Sequence, residues 1–307
     1  MAVTKYEILQ KKVKTCRFWW AFKFFLLGRE LGTKTERKTT FFKLRSLKDM
    51  IEFISASLYW PVLWLRRNKP QRIFIYYHAL NQWDIGRFEK QMAYLATKCC
   101  TVTVSELMTA PPNGSKVVVA VIFDDAFVSF RDNAFPILQK YRLPVAVSVP
   151  TGNLGKSPKW ALEDNCSDAE EIVINEEQLV ELNKAGCEIL SHTVSHPYLT
   201  KVDDVELETE LKQSKQALER IVGCDIIGIC YPYGAYDSRV CKVVEHTGYQ
   251  IGFSIEPCSV DTSIDSFQIG RFKVSPADSM LKFKLKLTGA YEVVKYLRRL
   301  KRIFFRR

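Results

Sequence analysis

From residue 72 onward the chain is predicted to fold as α/β, in one compact and irregular barrel of parallel strands and helices. Three observations predict this. Apolar runs of strand length recur about seven times in some 200 residues, helical stretches separate them, and polar residues capable of chemistry stand at the carboxyl ends of the runs. Alternation of strand and helix implies a parallel sheet, and so many short strands in so little chain suit a barrel better than a long open sheet.

The strand-like runs are Ile73–Tyr77, Val117–Phe123, Pro144–Val149, Glu188–Leu190, Ile226–Cys230, Gln250–Ser254 and Phe267–Val274. Between them the spacing predicts helices over Arg87–Ala96, Asn133–Tyr141, Glu176–Ala185, Asp203–Val222 and Ser238–His246. Asn175 stands where a helix start needs a capping acceptor, and Gly186, Gly223 and Gly248 follow the last periodic residues as stop signals.

The chain divides into a basic, aromatic-rich segment 1–70, the barrel 71–275 and a basic amphipathic helix 276–307. Its 307 residues carry a net charge of +11, unevenly spread: residues 1–72 hold 17 Lys/Arg against 5 Asp/Glu, and residues 271–307 hold 12 against 2. Both ends are therefore strongly basic around an acidic body. The apolar run Phe18–Leu27 is interrupted by Lys23, and the run from Ile51 to Leu65 contains Glu52 and Pro61. Each is shorter than the roughly 20 residues that span a bilayer, and both fit helices lying in a membrane interface. An anionic membrane surface is the expected partner, with Phe18, Trp19, Trp20, Phe22 and Trp64 supplying apolar insertion; packing on the barrel is the plain alternative. No nucleic-acid partner is expected. The nine cysteines are scattered, with Cys99-Cys100 the one close pair and no C-x-x-C, so neither a zinc ribbon nor a thioredoxin-type site is indicated. The residues after Met1 do not read as a signal peptide, and reduced thiols on the cytoplasmic side are the expectation, peripheral at the inner membrane.

The chemistry lies in the middle. Asp124 and Asp125 end the second run, and His192 and His196 follow the fourth in Ser191-His192-Thr193-Val194-Ser195-His196. In parallel α/β folds catalytic groups collect at the carboxyl ends of strands, so these four residues and Tyr231-Pro232-Tyr233-Gly234 should converge on one face. An Asp-Asp pair alone is usually a turn or cap, and a lone His-x-x-x-His is often incidental. Together they argue for one site. Asp125, His192 and His196 make three ligands with a position left open for water, as in catalytic zinc sites, and Asp124 remains as a base.

Phe123-Asp124-Asp125, Ser191–His196 and Tyr231-Pro232-Tyr233-Gly234 resemble the first three motifs of the NodB-homology polysaccharide deacetylases, carbohydrate esterase family 4. The resemblance covers about residues 72 to 275. It implies a distorted (β/α)7-type barrel and hydrolysis of N-acetyl groups on an amino sugar with a divalent metal, usually Zn²⁺. It further implies Asp124 as base, Asp125, His192 and His196 as ligands, an oxyanion contact from the backbone N–H of Tyr233, and Pro232 as the fixer of that turn. The chain departs from the family pattern at three points. Ala126 replaces a usual Gly, Cys230 stands where an Arg orients the base, and the late Leu-x-His motif has no counterpart, His246 reading as a helix-end residue. The early Tyr77-His78 resembles the Tyr-His motif of a permuted subgroup, which implies His78 as general acid. Arg271 is the candidate replacement for the missing arginine. Trp160, in the loop Thr151–Asp168, is either a sugar platform or a loop anchor.

The expected function is metal-dependent removal of an N-acetyl group from an amino sugar in a polysaccharide or a lipid-linked glycan intermediate. A polysaccharide deacetylase anchored outside the cytoplasm and a non-catalytic glycan-binding or scaffold protein on the same barrel are the alternatives.

Overall fold

The computed structural model describes residues 49–62, 71–109, 117–160, 170–260 and 264–297. Phe18, Trp19, Trp20, Phe22 and Trp64, with the aromatic layer expected of them, lie outside the described residues.

Helix α1 (49–62) precedes the barrel. Then follow β1 (Arg72–Tyr77), α2 (Ile85–Lys98), β2 (Cys100–Thr101), α3 (Val104–Thr109), β3 (Val118–Phe123), α4 (Phe135–Lys140), β4 (Ala146–Val149), α5 (Glu176–Lys184) and β5 (Glu188–Ser191). The chain continues through α6 (Asp204–Val222), β6 (Gly228–Cys230), α7 (Ser238–His246), β7 (Ile251–Phe253), β8 (Phe272–Lys273) and α8 (Met280–Leu287). The sheet runs β7-β6-β5-β4-β3-β1-β8 with β2 beside β3, and every pair is parallel. It is a curled α/β sheet flanked by helices, as a distorted (β/α) barrel requires.

The strand expected at Phe267–Val274 is split. Its first part bonds β7, through Ile269 N–H to Gly252 O (2.9 Å) and Ser254 N–H to Ile269 O (2.7 Å). Its second part, β8, pairs with β1, and Val274 N–H reaches Tyr76 O at 2.9 Å. The chain thus crosses from the last strand to the first at Gly270-Arg271. Gly270 passes Glu256 so closely that a Cβ would sit 2.3 Å from its carbonyl oxygen, and any side chain there would force the joint apart.

Side chains alternate across each strand. In β1, Ile73, Ile75 and Tyr77 join the layer between sheet and helices, while Phe74 and Tyr76 join a second cluster inside the barrel. In β3, Val119, Val121 and Phe123 face the helices, and Val118, Ala120 and Ile122 face inward. The same alternation places Leu190 of β5, Cys230 of β6 and Ile269 inside. The row of β6 ends, two residues on, at Pro232, and those of β1, β3, β5 and Ile269 likewise end at His78, Asp124, His192 and Arg271. Sheet register alone therefore aims these four side chains toward the barrel axis.

Helix ends follow local chemistry. Asn175 caps α5 in a reciprocal box with Gln178, Asp203 caps α6, and Asp237 caps α7. Two elements absent from the sequence reading, β2 and α3, are short and take their place from tertiary contacts; Glu188 accepts bonds from the backbone N–H groups of Val104 and Ser105 at the start of α3. The single helix expected over 276–307 is not continuous. α8 ends before Gly289, which adopts a left-handed φ of 75°, and a short turn then carries Tyr291 and Val294 into the core beside Phe283, Leu285 and Leu287. This face of the tail packs on the barrel because apolar burial outweighs its cationic pattern.

Candidate active site

The motif loops are held in conformations that residues with side chains seldom adopt. Among the described non-glycine residues, positive φ occurs at Asp125 (71°), Ala126 (50°), Arg142, Thr193 (68°), His196 (63°) and Tyr233 (57°), and all but Arg142 belong to the three motifs. Such strain costs on the order of 1–3 kcal/mol each and persists where surroundings impose it. Left-handed φ at residue 126 also explains why glycine suits that place and alanine is tolerated only under strain.

After the inward-pointing Asp124, the left-handed turn at Asp125 brings its carboxylate across to the histidines. Asp125 Oδ1 lies 3.4 Å from His192 Nε2 and 3.5 Å from His196 Nε2. All three side chains are buried, and one ligand atom from each falls within 4.8 Å of the others. Ligands bound at about 2.0–2.1 Å in tetrahedral array stand roughly 3.3–3.5 Å apart, so this spacing fits one small divalent cation. Asp125 Oδ1 and His196 Nδ1 are buried atoms without a hydrogen-bond partner. An orphaned carboxylate oxygen facing two imidazole nitrogens is a cation-binding arrangement, and the residues fit the group.

This candidate ligand set is held from behind. The carbonyl of Cys230 can only accept, so His192 donates Nδ1–H to it at 2.6 Å and presents Nε2 to the centre. Glu210, which sequence reasoning missed, accepts from Val194 N–H (2.8 Å), Ser195 N–H (2.9 Å) and Ser195 Oγ–H (2.6 Å) and fixes the loop between the histidines. Trp160 stacks on His196 with centroids 4.6 Å apart, so it walls that imidazole instead of standing free as a lip. Burial and the neighbouring His192 push His196 down to about 3, leaving a neutral imidazole. His192 is raised above its ordinary value: burial opposes this, but Asp125 and Asp124 prevail. A cation would replace that proton.

Asp124 is buried and held by three hydrogen bonds from two side chains. Arg271 forks onto it, Nη1 to Oδ1 at 2.8 Å and Nη2 to Oδ2 at 2.9 Å, and Ser148 donates to Oδ1 at 2.8 Å. Burial opposes the charge, yet Arg271, followed by His192, holds the carboxyl far below its usual range. Arg271 is itself fully buried, lies over the Tyr76 ring (4.5 Å), and donates to Ser254 O and to Cys230 Sγ. The small thiol at 230 leaves the volume that the guanidinium fills. Arg271 thus reaches Asp124 from the β7–β8 joint.

His78 ends the inward row of β1 and stands at the mouth, Nε2 3.9 Å from Asp125 Oδ2, with 29% of its side chain exposed. Pro232 starts the turn after β6, and Tyr233 occupies its left-handed apex, stacked on Tyr198 at 3.9 Å. Gly234 follows at φ 64°, where a Cβ would meet Ile255 at 2.3 Å. His246 lies elsewhere, on α7, bonded through Nδ1 to the carbonyl of Lys242.

A family model, that of polysaccharide deacetylases, matches residues 112–252. Over that span the barrel is similar to that family. YxkH of Bacillus subtilis (strain 168), which bears a polysaccharide deacetylase name, is 26% identical over 238 residues, covering 74% of this chain and 78% of its own. The poly-beta-1,6-N-acetyl-D-glucosamine N-deacetylase of Staphylococcus aureus (strain N315) is 26% identical over 202 residues, 62% of this chain and 67% of that one. In fold, the chain is similar to the Streptococcus pyogenes deacetylase PplD in complex with acetate. The TM-score is 0.59 at 20% identity, over 74% of this chain and 98% of that one.

Proposed function

We propose that this polysaccharide deacetylase barrel hydrolyses the N-acetyl amide of an amino sugar with the help of one divalent metal, Zn²⁺ being the expected ion. The observation that carries the reading is the pairing of a three-ligand cluster with a second carboxylate, Asp124, kept ionised beside it. Asp125, His192 and His196 would hold the ion, which supplies Lewis acidity to the amide carbonyl and acidity to water.

In this reading Asp124 takes the proton of the attacking water. It suits that task because Arg271 occupies both its oxygens in plane and Ser148 a further lone pair, leaving one direction open toward the ligands. Arg271 positions the base. His78, on the other side of Asp125 and partly open to solvent, gives a proton to the departing amine. The backbone N–H of Tyr233, presented by Pro232, steadies the oxyanion. Acetate and a free amino sugar are the products.

The substrate is proposed to be an N-acetylated glycan, either polymeric or lipid-linked, met at the cytoplasmic side of an anionic membrane to which the basic ends attach the protein. The basic aromatic segment supports that location. The alternative, anchorage outside the cytoplasm, is separated by labelling the exposed thiol of Cys224 in intact cells with an impermeant reagent. Protection agrees with the cytoplasmic side, and rapid labelling places the barrel outside.

Metal analysis tests the ligand set. The purified chain is expected to bind one Zn²⁺, and the His192→Ala/His196→Ala double variant none. Undiminished zinc in the double variant would remove the assignment and leave a glycan-binding barrel as the better reading.

A further inference from the structure

Helix α1 is turned inside out for a helix on a protein surface. Asp49 and Glu52 are its only charged residues; both act on Lys282 of α8, and Glu52 acts on Lys286 as well. Ala56 is fully buried, and Phe53 and Tyr59 pack against the core. The opposite face carries Met50, Ile54, Leu58 and Val62, exposed by 50%, 47%, 73% and 37%, with Trp60 exposed by 42%. Spacing of four residues puts the first four in one stripe along the helix. Of eleven exposed large hydrophobic side chains among the described residues, five belong to these fourteen residues. Scattered apolar residues are ordinary; a continuous stripe with no charge in it marks a docking face.

We propose that this stripe is where the protein lies on an anionic lipid surface, with α1 in the plane of the headgroups. The inference deepens the membrane reading given above and is independent of the deacetylation chemistry. Charge identifies the occupant. In sequence the helix is bracketed by Lys43, Arg45 and Lys48 before it and by Arg66, Arg67 and Lys69 after it, while α8 beside it adds Lys282 and Lys284. An apolar stripe flanked by cations at both ends matches the acyl boundary and the anionic headgroups of one leaflet. Fourteen residues make about 21 Å of helix, too short for a hydrocarbon core of about 30 Å. No helix among the described residues is long and apolar enough to cross a membrane. A second copy docking through this face would bring together two ends that each carry a strong net positive charge, which disfavours it.

The test is co-sedimentation of the full chain with vesicles of phosphatidylcholine alone and with phosphatidylglycerol added. It compares wild type, Ile54→Glu/Leu58→Glu, and Val205→Glu, an exposed apolar control on α6. Wild type and the control are expected to bind the anionic vesicles, and the double variant to bind about tenfold more weakly or less. All three should keep the same thermal midpoint and deacetylate a soluble N-acetylglucosamine oligomer equally, so that a failed membrane result is not mistaken for a failed enzyme. Absence of binding by the wild type would overturn both the membrane reading and the role of α1. Equal binding by wild type and double variant would overturn the role of α1 alone. Conversion of a dimer to a monomer by the double substitution, with vesicle binding unchanged, would reassign the stripe to a second copy.

Discussion

Asp124 and Arg271 stand 147 residues apart in sequence and share one buried, planar, two-bond contact. Removing either partner leaves a charge in a dry interior, which is costly and changes the surviving group. Arg271→Met should therefore let burial dominate Asp124 and raise its titration. The acidic limb of the kcat/KM profile should move to higher pH, from a wild-type position expected below the ordinary carboxylate range. Asp124→Asn should keep the metal and lose about 10²–10⁴-fold in turnover. His78→Ala should keep the metal as well and lower turnover, because the departing amine then lacks its proton donor. Steady-state pH profiles with metal content measured on each variant check all three. Loss of metal in Asp124→Asn would make that residue a ligand, and undiminished turnover in His78→Ala would end its role as the acid.

Elements carry the site through register and through the helices that lock the barrel. The strand runs and the residues ending them were legible in the sequence because each is local: apolar alternation, an Asp-Asp pair, a His-x-x-x-His loop, a Tyr-Pro-Tyr-Gly turn. Ser148 and Glu210 were not legible. A serine within a strand and a glutamate on a helix have no local signature, and only the packing of α6 and β4 brings them to the motifs. The tail was misread for a related reason. Its cationic repeat hides the apolar residues that reach the core, and the break at Gly289 depends on where that core lies. Asp278, at the start of this tail, bonds two lysines of α8, Lys286 and, at 2.9 Å, Lys282. Burial resists its ionisation, but Lys286 and Lys282 hold it below the ordinary carboxylate range. Its stabilising effect is thus complete above the unfolded-state pKa and fades as pH falls through the lowered one. Asp278→Ala, which strands a buried lysine, should cost about 3 kcal/mol at neutral pH; Lys286→Met, which leaves Lys282 on Asp278, should cost less than about 1.5 kcal/mol. Urea unfolding of the two variants checks this, and equal losses would show that the pair does not act as described.

At the scale of the whole molecule, an acidic barrel carries basic ends, and the open mouth lies at the carboxyl ends of its strands. The barrel supplies rigidity: inward rows from β1, β3, β5 and the β7–β8 joint deliver His78, Asp124, His192 and Arg271 to one point, each directly from a strand end. That convergence is why deacetylation, and not glycan binding alone, is the central claim. Release of acetate from N-acetylglucosamine oligomers tests it most directly. The comparison sets the zinc-loaded full chain against the same protein after chelation, after zinc is restored, and with Asp124→Asn. The account predicts stoichiometric acetate and free amine from the loaded protein, loss on chelation, recovery with zinc, and a fall of about 10²–10⁴-fold in the variant. Acetate release that survives both complete chelation and Asp124→Asn would contradict it.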